Sequence, residues 1–196
     1  MGEILAYEKV KLVVGVLYSG SEGPEGAQKR FDEVLAALKT EFGECDLVSH
    51  EMLFSFTNYY DAEMEAPIYK RLLSFKELVN PMDLAAIKVK TNELEKRWQT
   101  ESRRPVNLDP GILDLSHLIL ATTKNRGHRF TIGQGIYGEL TLLYMNGAFQ
   151  GQPWTYDDFN TDEYKQILCE IRELYRPQRK AELKKSRELA GTSQNK

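Results

Sequence analysis

The chain has 196 residues, 41% hydrophobic and 28% charged, an ordinary globular composition with enough apolar mass for one core. Its 26 basic and 29 acidic residues leave a net charge of −3, so no overall basic field collects nucleic acid non-specifically. No apolar run approaches the length needed to cross a bilayer, which argues against a membrane protein.

In chain order, Val10 to Tyr18 is apolar, β-branched and nearly continuous, the pattern of a central strand buried on both faces. A Gly-rich turn, Ser19 to Gly26, follows. Phe31, Val34, Leu35, Leu38 and Phe42 then mark one face of a helix that stops at Gly43. Asp46 to Phe56 is extended, Tyr59 to Pro67 is a loop or irregular edge, and Ile68 to Phe75 is a strand. Asn80 and Pro81 open a helix that runs to about Trp98, with Leu84, Ile87, Leu94 and Trp98 on one side. Pro105 to Leu108 is a short strand, and Asp109-Pro110-Gly111 reads as a turn.

Leu113 to Thr122 reads as a short apolar helix capped by Asp114. His128 to Gly133 and Ile136 to Tyr144 are strands joined at Gly133-Gln134-Gly135. Asn146-Gly147 is a hairpin signal, returning through Phe149. Thr161 caps a helix carrying Tyr164, Ile167, Leu168, Ile171, Leu174 and Tyr175. From Arg176 the chain is charged and loses its apolar stripe. No Pro/Gly/Ser-rich linker divides the middle. Residues 1–176 therefore read as a single globular domain and 177–196 as a disordered or frayed helical tail. The fold class is α+β (or α/β): a mixed, largely antiparallel sheet with flanking helices, on a ferredoxin-like βαββαβ core with a C-terminal β-hairpin and helix.

KLVVGVLYS, FTNYY, IKVKTNELE, VNLDPGIL, LILATTKNRGHRF, GQGIYGELTLLY and PWTYDDF occur here in one order. That series, from Val10 to Tyr175, resembles the bacterial family known as domain of unknown function 4416. The resemblance implies no established activity. Members are sometimes labelled GTP-binding proteins, but the strand–helix junction SGSEGPEGAQKR lacks the Gly-Lys-Ser/Thr of a phosphate-binding loop. GQGIYG lies inside a β-hairpin and so lacks the helix N-terminus of a dinucleotide fingerprint.

The densest reactive composition lies between Arg103 and Glu139. In the segment ATTKNRGHR, two hydroxyls, Lys124, Arg126, His128 and Arg129 fall within nine residues. Arg supplies a bidentate fork for phosphate or carboxylate, and Lys a point charge. A solvated loop is the bland alternative. Strand parity sets Phe130, Ile132, Ile136, Leu140 and Leu142 towards the core. It sets Arg129, Thr131, Tyr137, Glu139 and Thr141 on the opposite face, which either presents Arg129 and Glu139 across adjacent strands with Tyr137 beside them or is an ordinary solvated sheet face. Asn107 and Asp109 put an amide and a carboxylate at a strand end, where Asp109 binds a hard cation, serves as a base or closes its own Asx turn. Lys88, Thr91, Asn92 and Glu95 form a polar stripe that meets water or lines the same cleft. Phe54, Phe56, Tyr59, Tyr60, Trp154, Tyr156 and Phe159 surround the region with rings.

Several absences narrow the chemistry. There is no GxSxG elbow, no HExxH and no Cys/His ligand spacing, so no metal is assigned and no cofactor is identified. Cys45 and Cys169 read as small buried hydrophobes, and His50 and His117 as packing residues. No signal peptide opens the chain, and the expected location is cytoplasmic. The leading function is binding of a small anionic ligand, a nucleotide or phosphorylated metabolite, through Lys124, Arg126 and Arg129 with Arg104, Asn107, Tyr137, Lys88 and Asn92. Any acid–base chemistry would use His128, Asp109 or Glu139. The alternative is a non-catalytic module binding a protein or RNA partner. Convergence of these side chains into a concave pocket favours the first, and divergence into solvent the second.

Overall fold

The computed structural model describes residues 7–57 and 60–193, so Tyr59 and the last three residues of the tail lie outside the described residues. β1 (Val10–Ser19) is buried at every position and sits inside a nine-stranded sheet. α1 (Gly23–Phe42) follows and closes on Gly43, whose φ of 85° suits glycine. Next come β2 (Cys45–Val48), β3 (Met52–Leu53), α2 (Asp61–Met64) and β4 (Ile68–Val79). A 3-10 turn, capped by the Asn80 carboxamide, leads into α3 (Leu84–Glu95). The second half holds β5 (Val106–Leu113), β6 (His117–Thr122), β7 (Arg129–Gly133), β8 (Ile136–Met145), β9 (Ala148–Gly151) and α4 (Asp162–Ser193). No helix among the described residues is long and apolar enough to cross a membrane.

The strand order is β2-β4-β1-β5-β6-β8-β7, with β3 beside β4 and β9 beside β8. Every pairing among the described residues is antiparallel. The run β1-α1-β2-β4-α3-β5, with sheet order β2-β4-β1-β5, is the expected split βαββαβ unit. Leu12, Val14, Val16 and Tyr18 of β1 pack on Phe31, Val34 and Leu38 of α1 and on Ile87 and Leu94 of α3. On the other face, Val13, Leu72, Leu118 and Leu142 pack on Tyr164, Ile167, Leu168 and Ile171 of α4. Each such side chain contributes about 1.5–3 kcal/mol through burial.

Four local readings need correction. Leu113 to Thr122 is not a helix. Asp114 accepts bonds from the backbone N–H groups of Ser116 (2.6 Å) and His117 (2.8 Å), and this tight turn joins β5 to β6. Short apolar runs have no period that separates helix from buried strand. Asp109-Pro110-Gly111 is not a turn either, because β5 runs through it. In the β7–β8 region, Leu142 pairs with Leu118 but Leu140 with Ile119, so Thr141 is an extra residue in β8. This bulge reverses parity beyond it, which buries both Glu139 and Thr141 and removes the solvated face. Phe130 in turn is 47% exposed, lying over Gly138 of the neighbouring strand. His50 and His117 are not apolar packing residues: His50 pairs with Glu163 at 2.7 Å and His117 with Asp114 at 3.3 Å. Helix α4 continues beyond Arg176 to Ser193, within the helical alternative for the tail, and Gln178 bonds Lys11 at 2.7 Å and Asp46 at 3.1 Å. Cys45 and Cys169 are free thiols, half-buried against the two main cores.

The sheet is forked. β5 and β6 pair only at Gly111–Leu120, Ile112–Ile119 and Leu113–Leu118. Towards Val106, β5 stays with β1 and leaves β6. A Cβ on Gly111 would stand 2.7 Å from the Ile119 carbonyl oxygen, so glycine lets the strands meet at the apex of the fork. An antiparallel ladder alternates its bonds, and Leu108 and Pro110 therefore turn their backbone groups towards the gap. Pro110 has no N–H to strand there. Leu108 finds partners on α3: its N–H donates to Glu95 Oε1 (2.8 Å), and its carbonyl accepts from Lys88 Nζ (2.7 Å).

Candidate functional site

The fork opens into a cleft of about 490 Å3. A cleft of this size suits a small molecule. Its lining includes Lys88 and Asn92 from α3, Asn107 and Asp109 from β5, and Glu139 from β8. Arg104 comes from the segment before β5, Lys124 and Arg126 from the β6–β7 loop, and Arg129 from the start of β7. Nine of the eleven residues singled out in the sequence are thus brought together. His128 and Tyr137 do not line the cleft.

The polar stripe of α3 is mostly buried: Lys88 is 5% exposed, Thr91 0% and Glu95 6%. It closes the open edge of β5 and so has a structural duty besides facing the cleft. Asp109 Oδ2 accepts from Asn107 Nδ2 at 2.7 Å, while Lys88 Nζ stands 3.5 Å from Oδ1. Arg104 donates to Asn107 Oδ1 at 2.9 Å, to Glu95 Oε2 at 3.2 Å and to Glu63 Oε2 at 3.0 Å, tying α2, α3 and β5 together. Burial raises the Glu95 carboxyl above its ordinary pKa, against the pull of Lys88, the Leu108 N–H and Arg104. These bonds replace the Asx turn expected of Asp109. Its side chain remains 30% exposed, against 2% for Glu139 and 5% for Asp158, the other lining carboxylates.

Across the fork, Arg129 and Glu139 face each other in register, with Arg129 Nε 2.7 Å from Glu139 Oε2. The remaining arms of the Arg129 guanidinium hold the Lys124 carbonyl (2.8 Å) and the Tyr156 hydroxyl (2.9 Å). Burial opposes the Arg129 charge, but Glu139 and Tyr156 outweigh it and the net shift is upward. Arg129 therefore shapes the β6–β7 loop, whereas Lys124 and Arg126 stand exposed on it. His128 bonds Glu139 Oε2 at 3.0 Å and stacks on Trp154, with ring centroids 5.2 Å apart and planes 9° apart. It braces Glu139 from behind.

The sequence reading missed Lys70 and Asp158. They form a buried ion pair at the floor, with Lys70 Nζ 4.3 Å from the centroid of the Phe159 ring. The signal was present in IYKRLLSF, where alternation sets Lys70 on the face of Ile68 and Leu72. A lysine at an inward strand position needs a partner, and Asp158 is distant in sequence. Of the rings named in the sequence, Phe54, Tyr60, Tyr156 and Phe159 line the cleft. Its lining cations (Lys70, Lys88, Arg104, Lys124, Arg126, Arg129) number six against three carboxylates (Asp109, Glu139, Asp158), a local excess of positive charge that persists, at six against five, when the Glu63 and Glu95 partners of Arg104 are counted. Among the described residues no group of three or more His, Cys, Asp and Glu side chains is placed to hold a metal ion.

No curated protein and no solved structure matches the chain. The family described as Domain of unknown function (DUF4416) matches residues 8–175, from just before β1 into α4, and the chain belongs to that family.

Proposed function

We propose that this protein binds a small anionic ligand, a nucleotide or phosphorylated metabolite, in the forked cleft. The observation that carries this reading is the excess of cations over carboxylates in a cleft assembled from eight separate stretches of chain. Low-dielectric walls strengthen the attraction between such a cluster and an anion. Lys124 and Arg126 meet the anion, Lys88 and Arg104 line the opposite wall, and Arg129 holds the loop. Asp109, the most exposed carboxylate in the lining, is the group best placed for acid–base work, with Glu139 and His128 supporting the loop. The protein- or RNA-binding alternative calls for these side chains to diverge, and their convergence favours the ligand.

A thermal-shift screen of the purified protein against phosphorylated metabolites, nucleotides and inorganic phosphate tests the reading. A ligand at about 100 times its Kd stabilises the folded state by about 2.7 kcal/mol, a rise of several degrees in Tm. Arg126→Ala, an exposed change with little structural cost, is expected to abolish that rise. No shift with any phosphate compound, in a protein that melts cooperatively, rejects the proposal.

A further inference from the structure

We infer that the ligand is an elongated phosphate monoester carrying a planar ring, a ribonucleoside 5′-monophosphate in class; this rests on the anion-binding reading above. The cleft has two chemically different ends on opposite sides of the fork. On the β1 side, Leu17, Phe54 and Tyr60 belong to an apolar cluster with Met64 and Ile68, and Phe159 lies beside it across Lys70. On the β6–β8 side stand Lys124 and Arg126, with Arg129 fixing the Lys124 carbonyl. β1 and β8 are three strand positions apart, and the parting of β5 from β6 widens the span between the two ends beyond the paired-strand spacing. Inorganic phosphate or a short carboxylate fills one end only.

The middle of the cleft is polar. Asp109 offers carboxylate lone pairs beyond those taken by Asn107 and Lys88, and the Asn92 carboxamide, which has no side-chain hydrogen-bond partner among the described residues, lines the same stretch. A carboxylate beside an amide suits a vicinal diol, because the acid accepts from hydroxyls while the amide both donates and accepts. Ring, diol and phosphate therefore follow in the order of the lining: aromatic wall, Asp109 with Asn92, then the loop cations. Aromatic faces stack on any base, so the wall selects for a ring and not for one base. Two loop cations match the dianion of a monoester, and the loop lacks the run of glycine amides that cradles a polyphosphate.

Isothermal titration of the full chain with the four nucleoside 5′-monophosphates, ribose 5-phosphate, inorganic phosphate and adenosine distinguishes the possibilities. The expected result is that at least one monophosphate binds roughly tenfold or more tightly than ribose 5-phosphate, the contribution of stacking. Tyr60→Leu should lower that preference while leaving ribose 5-phosphate binding intact. Asp109→Asn should weaken both compounds, but not inorganic phosphate. Ribose 5-phosphate or phosphate binding as tightly as every nucleotide overturns the ring-bearing class and leaves the anion site standing. Binding of none of the phosphates overturns both.

Discussion

Arg129 and Glu139, with side chains 4% and 2% exposed, cannot be separated cheaply. Losing Arg129 leaves the buried Glu139 with the His128 imidazole alone beside its carboxylate, a loss of up to about 3–5 kcal/mol, whereas an apolar replacement of both is far milder. Arg129→Leu is therefore expected to lower unfolding stability by that amount in urea. The Arg129→Leu/Glu139→Leu double variant should recover part of the loss, and strictly additive losses would contradict the coupling. Glu95 makes a second residue-scale prediction. Its folded pKa lies above the ordinary 4.5, so between those values the native state binds more protons than the unfolded chain. Stability from this group is then greatest below the unfolded value and falls as pH rises through the folded one. Comparing urea midpoints of wild type and Glu95→Gln from pH 4 to 7 should show wild type losing ground as pH rises. A constant difference across that range would show that Glu95 is not shifted.

At the scale of elements, the fork depends on close approach of β5 and β6 at its apex. Gly111→Ala sets a methyl 2.7 Å from both the Ile119 carbonyl oxygen and Leu120 Cδ2, one of them backbone that cannot step aside. Overpacking of this kind costs about 1–3 kcal/mol. The change should also speed amide exchange in Ile112 and Ile119, the pair next to the apex. Unaltered exchange there, in a folded variant, would mean that the apex does not need glycine. Helix α1, α4 as far as Tyr175 and the β8–β9 hairpin were legible because each carries an apolar stripe or an unambiguous turn pair, Asn146-Gly147. The β5–β6 hairpin was not, because ILDLSHLILATT is apolar on both faces and Asp114 caps a turn as readily as a helix. The parity of β8 was misread for a different reason: a bulge adds one residue without leaving a mark in the hydrophobic pattern.

For the whole molecule, the sequence by itself determined the residues that can stand in a core, most of the strands and helices, the α+β class and the composition of the candidate site. Those properties are local: hydrophobic periodicity and turn chemistry act over a few residues. It also gathered the cations of ATTKNRGHR in one loop, since they are neighbours in the chain. Only the tertiary structure decided which of them face one another. Lys88 and Glu95 read as a stripe that either met water or lined a cleft until the gap in β5 supplied Leu108 as their partner. Lys70 had no visible reason until Asp158 arrived beside it from 88 residues away. Asp109 became a cleft carboxylate, and Arg129 the support of a loop, because strand order places β5 beside β1 and β7 beside β8. The physical reason is common to all of these: a buried polar group is satisfied by whatever the fold brings within about 3 Å, and chain neighbours carry no record of that meeting.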